Sequence, residues 1–433
     1  MTSVKTERTE AGSLGQRIRT SMGFPSIRGR GLFVGSTVVD SLANGVVFAF
    51  LLIYFQQVTA VPLVEIGLAM TAGRLLALAT PPLAGIALDR WGPRKVIVLG
   101  NWISFVGVGI AAFTTSIWMI ALSQLLIQVG MNLYWTSSRS LVAIASQGEQ
   151  LPRWFALLGA LRNVGTGVGA VVASVFLAID SAILMRFLVG GSAFAFVIAS
   201  FLLLAWNKSP EGDEHARKVV DTEDLTSPPE LPVSRGYAAV LTDRPYLLLL
   251  GLNLVFVLAA MVLPLVLAVW VVDIAKLTPA WAGGLIAANT LCVALLSTLT
   301  VRLTERFNIA SVLVAAFALN AISLVLLWAA GALSGGLPAV LLLVGFIAIY
   351  SAAEMLSTPY MSDLSVSMAD SAHSGHYQGA FQSSWSLGMA IAPVLFAALL
   401  QLSPNLLVGI LIVLCLFSVL GCFLLKRKIT QNA

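Results

Sequence analysis

Charge is what this chain has least of. Only 10% of its 433 residues are Asp, Glu, Lys or Arg, whereas an ordinary soluble domain carries about 25%. Hydrophobic residues make up 58% and the mean hydropathy is +0.92. Apolar runs of about 20 residues, long enough to cross a bilayer, recur from end to end. A soluble globular protein is thereby excluded and an integral membrane protein is expected. Cysteine is scarce too. Cys292, Cys415 and Cys422 all lie inside apolar runs, and the last two sit about 10 Å apart on one helix, too far to bridge. Histidine is limited to His215, His373 and His376, all in connecting segments. A loose HxxH on a polar loop is a poor metal site, so no metal and no cofactor is expected. There is no GxxxxGK[ST] phosphate loop, hence no visible means of using ATP. No catalytic constellation such as HExxH or paired intramembrane Asp residues appears, so an enzyme is not expected. A receptor is disfavoured as well, since the longest connection, 207–244, is polar and carries SPPELP, as a linker does.

What charge there is falls in a pattern. The net charge of +5 comes from bases between apolar runs, not from one clustered face, so nucleic acid is not an expected partner. The first 30 residues hold Lys5, Arg8, Arg17, Arg19, Arg28 and Arg30. The apolar run after them is longer than a signal-peptide core and lacks a small-residue cleavage site. Twelve spans are expected, near 32–55, 62–88, 95–113, 117–138, 153–178, 183–206, 245–271, 280–303, 309–331, 337–359, 377–400 and 404–425. This divides the chain into an amino-terminal segment 1–31, a six-helix bundle 32–206, a linker 207–244, a second six-helix bundle 245–425 and a tail 426–433. With the amino terminus inside, all the Lys and Arg except Arg74, Arg162, Arg186 and Lys276 fall on cytoplasmic segments, as the positive-inside rule expects. Both termini are thus placed in the cytoplasm and the chain in the cell membrane. The linker's tail, RGYAAVL, is expected as a short helix on the membrane surface.

The two halves echo each other. At an offset of 216, ALDRWGPRKVIV (87–98) lies over LTERFNIASVLV (303–314), setting Asp89 on Glu305, Arg90 on Arg306 and Trp91 on Phe307. Gly67 and Gly283, and Tyr134 and Tyr350, share that offset. At an offset of 223, Gly165 and Gly169 fall on Gly388 and Ala392. Paired six-helix halves with a central linker are a transporter design, with the substrate between the halves near mid-membrane.

The hairpin GIALDRWGPRKVIVLG (85–100) resembles motif A of the major facilitator superfamily, G-x-L-x-D-R-x-G-R-K-x-x-L. Gly85, Asp89, Arg90, Gly92, Arg94 and Lys95 occupy that pattern, with Pro93 inserted before Arg94. Gly92 and Pro93 suit a tight turn, and the bases suit an anionic leaflet. The resemblance implies an all-α major facilitator fold of twelve helices in two pseudo-symmetric bundles. It also implies that Asp89 caps the start of span eleven and latches one gate state. RGYAAVLTDRPYLLL and SGHYQG are similar to this superfamily as well. Two signatures of its drug–proton antiporters are altered. The span-four Arg position looks like Gln124, followed by Gln128 and Gly130, and the span-five motif reads GTGVGAVVAS, with Ala170 where proline is usual. Close helix packing through Gly165, Gly169, Gly388 and Pro393 is expected.

Ionisable groups inside a bilayer are functional candidates by default. Asp40 lies about 12 Å into span one and Arg162 at a similar depth in span five, so an Asp40–Arg162 ion pair is expected. Glu354 in YSAAEMLSTPY has no basic residue at its depth, which makes it a proton-carrying candidate. Arg74 near mid-span two is a substrate contact or a static partner, and Arg186 can snorkel outward. Gln124, Gln128 and Asn132 share one helical face, as do Gln378, Gln382 and Ser386. With Asn44, Tyr134, Trp135, Tyr350 and Trp385 they are candidates to line a largely apolar cavity. The expectation is a secondary transporter, working as a monomer by alternating access, that exports a small amphipathic compound against inward protons. Uptake of a metabolite is the rival reading.

Overall fold

The computed structural model describes residues 24–25, 27, 29–146, 151–178, 181–206, 236–333 and 335–432. The basic segment before Phe24, Arg28, His215 and the SPPELP stretch lie outside the described residues. A bilayer offers no water to free N–H and C=O groups, so each apolar run closes its hydrogen bonds within itself as a helix. The first bundle comprises α1 (Gly31–Val58), α2 (Leu63–Trp91), α3 (Pro93–Ala112), α4 (Ile117–Ser146), α5 (Leu151–Ala178) and α6 (Ala182–Ala205). The linker's tail forms the short α7 (Tyr237–Thr242). The second bundle comprises α8 (Arg244–Leu265), α9 (Pro279–Thr304), α10 (Ile309–Gly331), α11 (Gly336–Ser367), α12 (Ser374–Leu402) and α13 (Pro404–Asn432). These are twelve membrane helices in two bundles.

Two helices break at prolines, and each break is repaired by a side chain. Pro81 has no N–H for the carbonyl of Ala77; α2 tightens into a 3-10 turn at Ala77–Ala79 and Asn132 donates to that carbonyl at 3.1 Å. Pro264 leaves the carbonyl of Ala260 unserved in the same way, and the Tyr350 hydroxyl donates to it at 3.1 Å. Beyond Leu265 the chain loosens and ends in a π turn at Trp270–Ile274.

Lipid tails are as apolar as side chains, so helices associate in membranes through close backbone packing. In the first bundle α1 and α5 meet glycine to backbone. A Cβ on Gly45 would run into the Thr166 carbonyl, one on Gly169 into the Leu42 carbonyl, and one on Gly165 would come within 2.7 Å of Ser41 Cβ. In the second bundle Gly388 of α12 admits Val257 of α8, whose Cβ would lie 3.0 Å from an added methyl. Pro393, expected to pack, is instead exposed, although Ala392 and Phe396 on the same helix are buried in the second bundle's core.

Candidate functional site

The amino-terminal ends of α1, α3 and α5 and the carboxyl-terminal ends of α2, α4 and α6 lie on the membrane side that bears the linker. The two bundles are joined there. At the surface, the α2–α3 hairpin turns at Gly92, whose φ of +76° suits glycine. Asp89 at the end of α2 reaches the start of α12. Its Oδ1 accepts from the Gly375 N–H at 2.5 Å, and its Oδ2 accepts from the His376 N–H at 3.2 Å and contacts His376 Nδ1 at 2.5 Å. A carboxylate there satisfies orphan N–H groups and faces the positive end of the helix dipole.

The pseudo-symmetric acid does the mirror task. Glu305 at the end of α9 pairs with Arg153 in the first turn of α5, both carboxylate oxygens accepting, one from Nε and one from Nη2. Thus the acids that align at an offset of 216 each tie their own bundle to a helix start in the other. Of the remaining hairpin bases, Arg94 donates to the Leu204 carbonyl, while Arg90 and Lys95 are exposed.

Glycines let the bundles touch beneath Asp89. A Cβ on Gly375 would strike the Gly85 carbonyl, and one on Gly379 would sit 2.8 Å from the Pro81 carbonyl. Tyr237 of α7 wedges into this contact, its hydroxyl donating to the Pro82 carbonyl at 2.6 Å and its ring meeting His376 edge-on at 4.7 Å. Burial, and after it the charge of Asp89, pushes the Tyr237 phenol above its ordinary range, so it stays a donor. In the neighbouring loop the His373 hydrogen bond, with the Ala372 N–H, holds the Asp370 carboxyl below its usual range. Each histidine of the HxxH is thus engaged by its own carboxylate.

About 10 Å further in lies a residue that the spacing of spans did not reveal. By the expected spans Arg139 falls among the cytoplasmic bases, but α4 runs on to Ser146 and carries it inside. It is 8% exposed. Its Nε donates to Gln378 Oε1 at 2.9 Å, its Nη2 to Gln382 Oε1 at 3.1 Å, and its guanidinium lies 4.7 Å from the Phe381 ring centroid. The face Gln378–Gln382–Ser386 was legible in the sequence; its partner could have been found by extending α4 without a breaker past Thr136. Gln382 therefore belongs to this lock rather than to an open cavity. At about 20 Å Ser386 donates to Asn132 Oδ1 at 3.3 Å. Outward of this level α2 and α12 stand apart: nothing lies within 4 Å of where a Gly67 Cβ would be, and Met389 and Pro393 of α12 are exposed.

Several sequence expectations change in this setting. Asp40 and Arg162 do not form an ion pair within 4.0 Å. Arg162 lies near enough to act on Asp40 through space, but its guanidinium stacks 4.4 Å from the Trp135 ring centroid and donates to the Tyr134 hydroxyl at 3.2 Å. Asp40 is 5% exposed, and Asn44 one turn on donates to its carboxylate at 3.0 Å and its carbonyl at 2.9 Å. Glu354 has a partner after all, a neutral one: Asn289 Nδ2 donates to its Oε2 at 3.0 Å and to Ser351 Oγ at 3.0 Å. Gln124 does not line a cavity, being packed against Gly73. Tyr134 and Tyr350 are buried and spend their hydroxyls inside their own bundles. Arg186 does not snorkel; it clamps the carbonyls of Val58, Ala112 and Thr114. Gln128, Asn132, Trp135 and Trp385 remain half-buried along the interface, and Arg74 is exposed.

The comparisons agree with this architecture. The Major Facilitator Superfamily profile matches residues 33–284. Curated relatives include the Multidrug resistance protein MdtH of Photorhabdus laumondii, 25% identical over 348 residues and 80% of each chain. That of Cronobacter sakazakii is 27% identical over 352 residues, again 80% of each. Among solved structures, a bacterial homologue of the iron transporter ferroportin in an outward-facing state superposes with a TM-score of 0.70 at 16% identity, covering 92% of this chain and 99% of that one. The transporter FucP in the outward conformation gives 0.65 at 15%, covering 92% and 97%. Two six-helix bundles, reciprocal carboxylate latches and a profile match across more than half the sequence lead to one assignment: this chain belongs to the major facilitator superfamily of membrane transporters.

Proposed function

We propose that this transporter works by alternating access and exports small amphipathic compounds from the cytoplasm in exchange for protons. On this reading the linker side is cytoplasmic, as its excess of bases favours, and the state described is open to the outside. The names of the curated relatives support the export of drug-like compounds, and the superposition on outward-facing structures fits a seal on the linker side. One observation carries the proton-coupled part. Asp40 and Glu354, deep within α1 and α11, are each hydrogen-bonded by a neutral amide, Asn44 and Asn289. Among the described residues, neither has a cation within 4.0 Å. Each can therefore exchange a proton with the cleft without breaking an ion pair, which suits a residue that cycles between charged and neutral forms. Of the two, Asp40 sits beside the Arg162 charge, whereas the described partner of Glu354 is the neutral Asn289.

The test is flux in proteoliposomes with an imposed pH gradient, reading dye movement and proton movement together. Glu354→Gln is expected to lower gradient-driven dye accumulation at least about tenfold, the effect of one lost ionisable coupling group, with dye binding retained. Asp40→Asn should do the same or lock the carrier in one state. Unchanged coupling in both variants refutes the assignment.

A further inference from the structure

The export reading leaves the charge of the cargo open, and one arginine bears on it. Gly73, Ala77 and Ala84 of α2 face α4: a Cβ on Gly73 would lie 2.7 Å from the Ala121 carbonyl, Ala77 accepts from Asn132, and Ala84 packs with Leu133. The residue after each is rotated by about 100°. For Ala84 that residue is Gly85, which meets Gly375 of α12. Arg74, one residue past Gly73, therefore points toward the other bundle too. It stands about 25 Å from the linker end of α2, at the level of the Asn132–Ser386 bridge.

The helices are antiparallel, with Gly85 beside Gly375 and Pro81 beside Gly379. Continuing that register brings Arg74 opposite the stretch Ser386–Met389, and Gly67 opposite Pro393. Met389 is 47% exposed, Pro393 is exposed, and nothing lies within 4 Å of where a Gly67 Cβ would be. Arg74 is itself exposed and forms no hydrogen bond or ion pair among the described residues. A guanidinium this deep cannot face lipid at reasonable cost, so it stands in the aqueous cleft, with the apolar surface of Met389 and Pro393 just outward of it on α12. Deeper in the same bundle, Arg139 and Arg162 add positive potential, and Asp40 is the carboxylate beside Arg162.

We propose that the cargo is an amphipathic organic anion, its carboxylate or sulfonate held by Arg74 and its apolar body against the α12 wall around Met389. This rests on the transporter having its cargo site in this cleft. A guanidinium offers an anion two parallel N–H donors, and among the described residues Arg74 has no ion pair to give up.

Binding is measured by fluorescence anisotropy on the full-length protein in lipid nanodiscs, with two anionic probes (fluorescein and 8-anilinonaphthalene-1-sulfonate) and two cationic ones (rhodamine 123 and ethidium). The anions are expected to bind more tightly. Arg74→Gln should weaken them by about tenfold or more, the worth of a charge-assisted contact, and Arg74→Lys should retain part of the affinity. Exposure of Arg74 makes misfolding of either variant unexpected, and the melting temperature of each checks it. Failure of both anions to bind, whatever the cations do, overturns the inference, as does unchanged anion affinity in Arg74→Gln. Gradient-driven flux of rhodamine 123 without flux of fluorescein would sink the anion reading and leave proton-driven export standing. Fluorescein binding that depends on Arg74, without any gradient-driven flux, would leave the site and remove the export mechanism.

Discussion

Asp89→Ala should shift the transporter toward opening on its linker side. The substitution removes acceptors for two amide donors at the start of α12, Gly375 at 2.5 Å and His376 at 3.2 Å, and the contact to His376 Nδ1. Loss of a capping side chain costs about 1 kcal/mol. Loss of a negative charge at a helix start costs about 0.5 kcal/mol, and a partly exposed contact to imidazole adds less than about 1 kcal/mol. Together about 2 kcal/mol favours the closed linker side, so a closed-to-open ratio of about 100 would fall to about 3. Asp89→Asn keeps an acceptor but loses the charge, so it should fall between wild type and Asp89→Ala. The assay is pulsed electron–electron spin resonance between labels at Lys95 and Arg306, exposed residues on the two bundles, with Cys292, Cys415 and Cys422 replaced. A second, longer distance should gain population in Asp89→Ala, then less in Asp89→Asn. A distribution identical to wild type in Asp89→Ala would refute the latch and the energies assigned to it.

The reciprocal latch gives a charge-reversal experiment with the same label pair. Arg153→Glu and Glu305→Arg should each populate the longer distance, and the double variant should restore the shorter one; no rescue would mean that the pair contributes nothing to closure. Packing within the first bundle is tested by Gly45→Leu, whose side chain collides with the Thr166 backbone. A backbone clash in a close-packed interface costs several kcal/mol, so a marked loss of monodisperse protein in size-exclusion chromatography is expected. Yield and melting temperature equal to wild type would show that α1 and α5 separate more readily than their contact implies.

Element type was the easiest thing to read in the sequence, because lipid imposes helices and a twenty-residue apolar run has few other solutions. The tie from Asp89 to span eleven was legible through resemblance, and the match of Asp89 to Glu305 through internal repetition. The role of Glu305 needed coordinates, since its partner Arg153 lies 152 positions away. Hydropathy hid Arg139, because a window ends a span at the first charge and cannot tell a helix that stops from one that enters a polar interface. The expected Asp40–Arg162 pair failed for a related reason. Equal depth on neighbouring helices fixes proximity but not direction, and Trp135 offers Arg162 a π face that needs no desolvated anion. Tyr350 and Asn132 were read as cavity candidates from polarity, yet each also serves a carbonyl freed by a proline four residues on, a debt that Pro264 and Pro81 make visible in the sequence once it is looked for.

The seal on the linker side is built from polar contacts in three layers: paired carboxylates at the surface, Arg139 between two glutamines, and Asn132 with Ser386. Such contacts exchange for water on opening, so each favours closure by only about 1 kcal/mol net. An apolar seal of similar area would resist hydration far more strongly. A polar gate is therefore cheap to break, provided the opposite side gains comparable contacts on closing. The faces available there, Gly67 and Thr71 on α2 and Met389 and Pro393 on α12, are small or apolar. Arg74 is the obstacle, because closing an uncompensated guanidinium into that contact costs several kcal/mol. Under the anion proposal the carboxylate or sulfonate of the cargo compensates that charge, so the loaded carrier closes its outer side more readily than the empty one.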